Sequence, residues 1–361
     1  MLSPKARRNI VRILPFGVLW LVFSIVYTLL EKGLLGNLPY YPSTGNPYFF
    51  GRNIITTPLA SLVTGLGIGI LEVYYFNKWF IKRSFSRKIL YKSAIYLIII
   101  LLFLLIIFIG TSNGMSALLT RSELWKYSWA FFTNYSLLSV AIYVASIILV
   151  TQFYTEVSDS IGHAALLNFF LGKYHQPLQE ERIFMFLDMR SSTTIAENLG
   201  HVKYFEMLKE YFSDLSGPVI DHGGEIYQYA GDEMIVSWKP GDRLKNSDCI
   251  RCFFAMKEMI GSRAEKYKER FGLAPGFKAG FHCGMVTTGE IGVLKKEIIF
   301  TGDVLNTAAR IQGLCNLFQV DILISGVLVE KFAPDPIFQT GSLGEHELKG
   351  KGEKMELFTI T

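Results

Sequence analysis

Hydrophobic positions follow two different patterns along this chain, and the change comes near residue 155. Before it, four stretches contain no charged side chain: 13–30, 53–71, 93–120 and 127–155. Each is about as long as a bilayer-spanning helix, and the run SAIYLIIILLFLLIIFIG is almost wholly apolar. No small-residue cleavage site follows the first stretch, so we interpret it as a membrane anchor and not as a signal peptide. The pattern predicts four transmembrane helices.

After residue 181 the apolar positions are spaced for shorter elements. They read as a strand at 183–189 (IFMFLDM), helices at 193–199 and 202–221, two strands joined by a tight turn at 223–238 (GGEIYQYAGDEMIVSW), a helix after Asp248, a strand pair at 277–292 (FKAGFHCGMVTTGEIG), a helix at 304–318 and a strand at 320–325. A short helix and two strands close the pattern. The order β-α-β-β-α-β predicts a ferredoxin-like α+β domain whose antiparallel sheet carries helices on one face.

These patterns divide the chain into three parts: a membrane domain with four transmembrane helices at 1–154, a helical connector at 155–180 and the α+β domain at 181–361. Lys and Arg are concentrated before the first span and between the second and third spans. The positive-inside rule therefore predicts a multi-pass protein of the cell membrane with both termini and the α+β domain in the cytoplasm.

The charge balance differs between the two halves. Residues 1–154 hold 14 Lys and Arg against 3 Asp and Glu, whereas the remainder hold 22 against 28. The basic pI near 8.8 thus reflects anchoring to the lipid bilayer, and no nucleic-acid partner is expected. The spans contain few ionisable groups beyond Glu72, which gives little support to a transport pathway. The four cysteines all follow residue 248, and buried free thiols are expected.

Two acidic residues are the first candidates for chemistry. Asp188 ends the predicted first strand, and Asp232 sits at the tip of the predicted hairpin. These strands are adjacent in a ferredoxin-like sheet, so the two carboxylates can converge and bind Mg²⁺ beside phosphates. The neighbouring Glu233 is interpreted as a solvated residue. The sequence after Asp188 opens a helix, whose N-terminal N–H groups suit a triphosphate.

A second cluster lies in GDVLNTAAR (302–310). Asn306 and Arg310 are four residues apart and therefore share one helical face. Arg supplies a fixed fork of donors for charge that develops on a phosphoryl group, and Asn can hold a ribose oxygen. A surface ion pair or a helix cap explains either residue taken alone, but explains the whole set poorly.

The segments FLDMRSST, GGEIYQYAGDE, FHCGMVTTGEIG and FTGDVLNTAAR, in this order, resemble the catalytic domain of the class III nucleotidyl cyclases, the adenylate and guanylate cyclases. The resemblance covers roughly residues 180–361, and the four preceding spans are similar to those of membrane-bound bacterial members. It implies an α+β cyclase fold that works as a head-to-tail homodimer with each active site between two chains. It also implies two Mg²⁺ or Mn²⁺ ions per active site.

The resemblance assigns roles by motif position. Asp188, Asp232 and the Met189 carbonyl would bind the metals. Asn306 would orient the ribose, and Arg310 of the partner chain would stabilise the transition state. LKGKG (348–352) resembles the late phosphate-binding loop of the family, which makes Lys349 the first candidate and Lys351 the second.

The chain departs from the family where the base is selected and where the triphosphate binds. Gln228 stands where adenine-selecting members usually carry Lys, and Ile299 stands where they carry Asp or Thr. Ser191 and Ser192 replace the usual Gly and Phe, so that this loop, with Thr193, would cradle the triphosphate through hydroxyls as well as backbone amides.

The resemblance therefore implies a lyase that converts ATP to 3′,5′-cyclic AMP and pyrophosphate for intracellular signalling. Two alternatives remain open. The first is the same chemistry on GTP or a pyrimidine triphosphate. The second is a catalytically silent membrane receptor that uses the domain to dimerise, although the intact metal and transition-state residues argue against it.

Overall fold

The computed structural model of the chain describes residues 3–42, 47–76, 79–80, 83–111, 129, 135–241, 247–332, 338–352 and 354–361. It divides into two compact units, Arg7–Leu167 on the one hand and Met1–Ala6 with Asn168–Thr361 on the other. A helix runs from Tyr135 to Ile161, through the domain boundary predicted at 154. The three-part division proposed from the sequence remains a prediction.

Long apolar helices make up the first unit. They are α1 (Pro4–Leu35), α2 (Phe50–Leu71, extended by a π-helical turn at Glu72–Phe76), α3 (Phe85–Thr111) and α4 (Tyr135–Ile161). Within the described residues, four segments are long and apolar enough to cross a membrane: Pro4–Leu35, Phe50–Phe76, Phe85–Leu105 and Leu137–Ile161. This agrees with the four predicted spans, although most of positions 112–120 and 127–134 lie outside the described residues.

A buried ionic network joins three of these helices. The Lys92 ammonium on α3 contacts Glu72 at the end of α2, and lies 2.9 Å from Glu156 Oε1 on α4. Tyr96 donates to Glu72 Oε2 at 2.8 Å, and Gln152 Nε2 lies 3.4 Å from the same oxygen. Glu72 was recognisable from the sequence but this network was not, because Lys92 and Glu156 lie on helices far apart in the chain.

Helix α5 (His163–Phe170) contains the division between the two units, after Leu167. The second unit is built on one eight-stranded sheet. Its strands are β1 (Leu178–Met189), β2 (Glu225–Ala230), β3 (Glu233–Trp238), β4 (Phe277–Ile291), β5 (Glu297–Thr301), β6 (Ile322–Ser325), β7 (Thr340–Glu347) and β8 (Lys354–Ile360). Its helices are α6 (Ser192–Leu199), α7 (His201–Asp221), α8 (Asp248–Ser262), α9 (Ala264–Phe271), α10 (Asp303–Gly313) and α11 (Gly326–Val329).

The strand order β2-β3-β1-β4-β6-β8-β7 contains the ferredoxin-like core β2-β3-β1-β4, which confirms the predicted fold class. Two details differ from the prediction. The sheet is not wholly antiparallel, because β6 runs parallel to β4. The segment read as a strand pair at 277–292 is one 15-residue strand, since continuous pairing with β1 keeps its glycine- and threonine-rich part extended, and its hairpin partner is β5.

The sheet is covered on both faces, and the two faces differ. One carries the larger core, in which residues such as Met185, Leu187 and Phe281 pack against the helices α7 and α8. The opposite face packs against α10 through Phe184, Phe186 and others. The prediction of helices on one face only was wrong, because the helix at 304–318 has its own apolar stripe, which packs onto the second face.

Replacing Lys92 by Met is expected to destabilise the helical unit strongly. The substitution keeps the apolar stem but leaves the buried Glu72 and Glu156 carboxylates without their shared cation, a loss of about 3–5 kcal/mol for broken buried pairs. Lys88→Met is the control, because Lys88 is more exposed and contacts Glu156 at 3.4 Å, so its loss should cost about 1 kcal/mol or less. Unfolding of the full chain in detergent measures both, and equal destabilisation would contradict the role of the network.

Candidate active site

Asp188 lies next to the end of β1, on the sheet face that packs against α10. Its register partners are Lys278 on β4 and Glu233 on β3, so three charged side chains lie abreast at one end of the sheet. Directly opposite residues of an antiparallel pair share one face of the sheet. Lys278 Nζ lies 3.4 Å from Asp188 Oδ2, and the two side chains are 11% and 27% exposed. A buried ammonium therefore only partly balances the acidic group.

Asp232 lies at the turn between β2 and β3, as predicted. Gly231 before it has a φ of 65°, in the left-handed region that glycine adopts without strain, and this makes the turn tight enough to bring Asp232 beside Asp188. One oxygen of Asp232, Oδ2, is buried and lacks a hydrogen-bond partner within the described part of the chain. Burial, together with contact to Asp232, raises the pKa of Asp188 above its ordinary value.

Two further groups lie close to the carboxylates. Glu233 is half-buried beside Asp188, and burial with the charges of Asp188 and Asp232 raises its pKa. The interpretation of Glu233 as a solvated residue was therefore wrong, because its register places it next to the pair. Tyr204 on α7 also has a raised pKa, mainly through burial and then through the charges of Asp232 and Asp188.

The donor set fits a hard divalent cation. Two carboxylates converge, one of them with a buried unpaired oxygen, and their mutual repulsion favours a bound positive charge. In the described residues, no group of three or more His, Cys, Asp or Glu side chains is placed to hold a metal. The carboxylate pair itself suits Mg²⁺ or Mn²⁺, since Mg²⁺ usually takes one or two carboxylates and completes its shell with water and phosphate oxygens.

Two residues of this site were missed from the sequence: Lys278 and Gln312. Gln312 on α10 donates from Nε2 to Asp188 Oδ2 at 3.1 Å. This contact depends on Gly280, because a Cβ there would lie 2.2 Å from the backbone nitrogen of Gln312 and 2.7 Å from the Ala308 carbonyl oxygen. The lysine within the otherwise apolar strand segment FKAGF was the available signal for Lys278, whereas Gln312 is recognisable only once the face of α10 is known.

The residues predicted for the ribose and the transition state lie on α10. Asn306 is exposed and Arg310 is half-buried, while the opposite side of the helix packs against the sheet. The loop 348–352 passes next to Arg310: a Cβ at Gly350 would lie 3.5 Å from its Nη2 atom. The loop brings Lys351 within 2.6 Å of Asp303 Oδ2, in the first turn of α10, whereas Lys349 is exposed.

The loop after Asp188 contains a residue with left-handed backbone conformation, Ser191. Ser191 has φ 55° and ψ 30°, a left-handed conformation that glycine usually supplies, and α6 begins at Ser192. Ser191 and Thr193 are exposed and Ser192 is half-buried, so the hydroxyls lie near the start of the helix. The serine therefore retains the turn at a conformational cost that glycine would avoid.

The predicted base-reading residues lie beside an aromatic pair. Gln228 is opposite Ile235 on β3, after a β-bulge at Tyr227. The Tyr227 ring packs on Phe300 at 4.9 Å between centroids, and the Phe300 N–H donates to the Tyr227 hydroxyl at 3.4 Å. Gln228 is opposite Ile235, and Phe300 packs in the same cluster as Ile235, so Phe300 lies on the Gln228 face. Neighbouring side chains of a strand point to opposite faces, so Ile299 lies on the other face, and its role stays a prediction.

Replacing Asp232 by Asn is expected to stabilise the metal-free protein at neutral pH. The folded-state pKa values of Asp188 and Glu233 are raised, so the folded state retains protons that the unfolded chain loses, and stability falls as the pH rises through this window. The variant removes a charge that contributes to both shifts. As the pH rises from about 4 to 7, the melting temperature of the variant in EDTA should fall less than that of the wild type. Addition of a divalent cation should raise the melting temperature of the wild type more than that of the variant.

Asp303→Asn is the control, because the pKa of Asp303 is shifted in the opposite direction to that of Asp188. The hydrogen bond from Lys351 lowers the pKa of Asp303, so this carboxylate contributes stability above its unfolded-state pKa and loses it as the pH falls. Its replacement should therefore lower the melting temperature at neutral pH and have little effect near pH 4. Equal pH dependence of the wild type and Asp232→Asn would contradict the repulsion described for the carboxylate pair.

The chain is similar in sequence to known adenylate cyclases and in fold to a solved cyclase structure. The chain is 35% identical over 209 residues to adenylate cyclase 2 of Rhizobium meliloti (strain 1021), covering 58% of each chain. It is 28% identical over 188 residues to adenylate cyclase 1 of the same organism, covering 50% of this chain and 28% of that protein. The chain thus spans less than two thirds of these relatives.

The fold is similar to that of a bacterial light-regulated adenylyl cyclase, with a TM-score of 0.50 and 18% identity over 60% of this chain and 63% of that chain. Residues 174–361 match the model of the family described as "Adenylate and Guanylate cyclase catalytic domain". This match covers more than half of the chain and contains every residue of the site described above. The chain belongs to the adenylate and guanylate cyclase catalytic domain family.

Proposed function

We propose that this protein is a membrane-bound nucleotidyl cyclase that converts ATP to 3′,5′-cyclic AMP and pyrophosphate at the interface of a homodimer. The observation that supports it most is the convergence of Asp188 and Asp232 with a buried carboxylate oxygen that has no partner in the described residues. A structural carboxylate pair would normally be neutralised by cationic partners, whereas in the described part of the chain the cation that contacts this pair is Lys278, at 3.4 Å.

The reaction needs positioning and charge stabilisation more than covalent chemistry. The ribose 3′-oxygen attacks the α-phosphorus, the bond between that phosphorus and the oxygen bridging to the β-phosphate breaks, pyrophosphate leaves and the 3′-hydroxyl proton is released. Two Mg²⁺ or Mn²⁺ ions, held by Asp188, Asp232 and the Met189 carbonyl, would supply positive charge to the attacking and leaving oxygens when bound.

The protein's own groups would fix the substrate. Lys278 adds a cation beside the carboxylates, and the loop of Ser191, Ser192 and Thr193 offers backbone amides and hydroxyls to the triphosphate. Asn306 would orient the ribose, and the Arg310 guanidinium would stabilise the charge that develops on the phosphoryl group. Lys349 and Lys351 are the phosphate-binding candidates of the late loop, with Lys351 already fixed at α10 by Asp303.

The assignment of two chains to each site rests on the motif positions. Asn306 and Arg310 lie on the side of α10 that faces away from its own sheet, which suits contact with a second copy. A symmetric dimer presents both halves of the site twice. The four apolar helices support anchoring of the protein in the cell membrane. The distribution of Lys and Arg favours both termini and the catalytic domains in the cytoplasm.

Base selection would depend on Gln228 and its surroundings. Gln228 can both donate and accept hydrogen bonds, and it lies beside the Tyr227–Phe300 pair, whose rings suit any planar base. A neutral hydrogen bond contributes about 0.5–1.5 kcal/mol. Discrimination by this amide alone therefore corresponds to about threefold to tenfold in rate, and GTP turnover is expected as a side reaction. The contact between Asp188 and Asp232 argues against the alternative of a catalytically silent receptor.

Incubation of the purified full chain with ATP, GTP, CTP or UTP and Mg²⁺ or Mn²⁺, with products identified by mass, tests the proposal. We expect 3′,5′-cyclic AMP as the main product, a smaller amount of cyclic GMP, and none from Asp188→Ala or Asp232→Ala at matched folding. Near-normal activity in either variant would overturn the site. A preference for another nucleotide would overturn only the choice of ATP.

Two inactive variants should restore each other's activity if the site is shared. Asp188→Ala and Arg310→Ala homodimers should both be inactive, whereas a mixed dimer contains one intact site. Random mixing gives half mixed dimers, so about a quarter of the wild-type activity should return. Co-purification through two different tags verifies that mixed dimers form, and absence of rescue in such dimers would place the whole site within one chain.

A further inference from the structure

Helix α10 contacts Asp188 of its own chain through the side chain of Gln312. We propose that Gln312 is a positioning residue that orients Asp188 for metal binding and thereby links α10 to the metal site. This inference rests on the proposed function, and it concerns a residue that has no assigned part in the chemistry. Gln312 is buried, at 9% exposure, and its amide donates to Asp188 Oδ2 at 3.1 Å.

The neutral Gln312 amide can orient the Asp188 carboxylate without neutralising its charge. Asp188 Oδ2 accepts from Gln312 and lies 3.4 Å from Lys278 Nζ, so two donors converge on this one oxygen. The carboxylate rotamer is thereby fixed, and its second oxygen is left for a cation. A second cationic partner in place of Gln312 would compete with the metal, whereas a neutral amide keeps the negative charge available.

The backbone makes this hydrogen bond rigid. Gly280 lets α10 contact β4 directly, since a Cβ at this position would lie 2.2 Å from the Gln312 nitrogen. Gln312 therefore has little freedom to shift relative to the sheet that carries Asp188. Hydrogen-bonded partners of metal ligands typically change metal affinity or activity by about 10–100-fold when they are lost.

The position of Gln312 along α10 has a consequence for the dimer. The same helix carries Asn306 and Arg310, which in the proposed dimer serve the other active site. One hydrogen bond in each chain thus connects the metal ligand of one site with the helix that completes the second site. Removal of this bond should disturb the site that contains the affected Asp188.

The first test measures metal affinity and not activity. Mn²⁺ binding to the full chain in detergent is followed by electron paramagnetic resonance, with 3′-deoxy-ATP, which lacks the attacking hydroxyl. Gln312→Met keeps the length of the side chain and removes the whole amide, including the NH₂ group that donates to Asp188, so the Kd for Mn²⁺ should rise about 10–100-fold. Gln312→Leu carries the same expectation if the Met variant does not fold.

Ile311→Val is the matched control for packing. Ile311 is fully buried on the same helix, and its truncation weakens the contact of α10 with the sheet without touching Asp188. It should leave Mn²⁺ affinity within about twofold of the wild type, because cavity effects act on stability. Wild-type Mn²⁺ affinity in folded Gln312→Met would overturn the inference, whereas loss of binding in Ile311→Val would indicate packing alone.

The second test uses the mixed dimer of Asp188→Ala and Arg310→Ala chains. Its intact site takes Asp188 from the Arg310→Ala chain and Arg310 from the Asp188→Ala chain. Adding Gln312→Met to the chain with the intact Asp188 should lower the restored activity about 10–100-fold. Adding it to the other chain should have little effect, since its partner carboxylate is already absent.

Equal losses from the two chains would show that Gln312 acts only in the packing of α10 and would overturn the positioning role. Failure of the proposed function gives a different result. In that case Asp232→Ala would bind Mn²⁺ as the wild type does, and the mixed dimer would show no restored activity, whatever residue occupies position 312.

Discussion

Repulsion between two carboxylates at one end of the sheet is the constraint on which the catalytic unit depends. The register of β1 with β3 and the tight turn at Gly231 bring Asp188 and Asp232 together, and burial raises the pKa of Asp188. Lys278 offsets this repulsion only in part. An arrangement that costs stability in the metal-free protein is understandable if a divalent cation and a triphosphate relieve it on binding.

One face of the sheet holds most of the apolar core, and the other holds the candidate site. The face against α7 and α8 holds the larger apolar core, which fixes the strands that carry the acidic residues. The face against α10 holds Asp188, Lys278 and the Gln228 position, and Gly280 brings the helix into direct contact with it. A movement of α10 therefore alters the surroundings of Asp188, which ties the residues of one site to those of the other in the proposed dimer.

Much of the fold was predictable because its elements have clear periodicity. The ferredoxin-like core of the sheet, the hairpin with Asp232 at its tip and the four apolar helices all followed from local pattern, whereas the parallel pairing of β6 with β4 did not. The long strand β4 was divided wrongly, since glycine and threonine imitate a turn when the pairing with β1 is unknown. The second covered face escaped prediction for a related reason: amphipathic spacing shows that α10 packs, but not on which face of the sheet.

Site residues that belong to sequence motifs were predictable, whereas those brought together by strand register were not. Asp188 and Asp232 stand out as acidic residues at predicted strand ends, whereas the proximity of Glu233 and the contact of Lys278 depend on which residues lie opposite each other. Gln312 is separated from Asp188 by 124 residues, and only the close approach at Gly280 joins them. The ionic network of Lys92 was likewise not predictable, because its partners lie on other helices.

In the proposed function the carboxylate pair forms a metal site that the nucleotide completes. The most direct measurement is the number of Mn²⁺ ions bound by the full chain in the presence of 3′-deoxy-ATP, compared with the same number for Asp232→Ala. We expect about two tightly bound ions per chain for the wild type and a clear reduction for the variant. Equal Mn²⁺ binding by the two proteins, or no binding by the folded wild type, would contradict it.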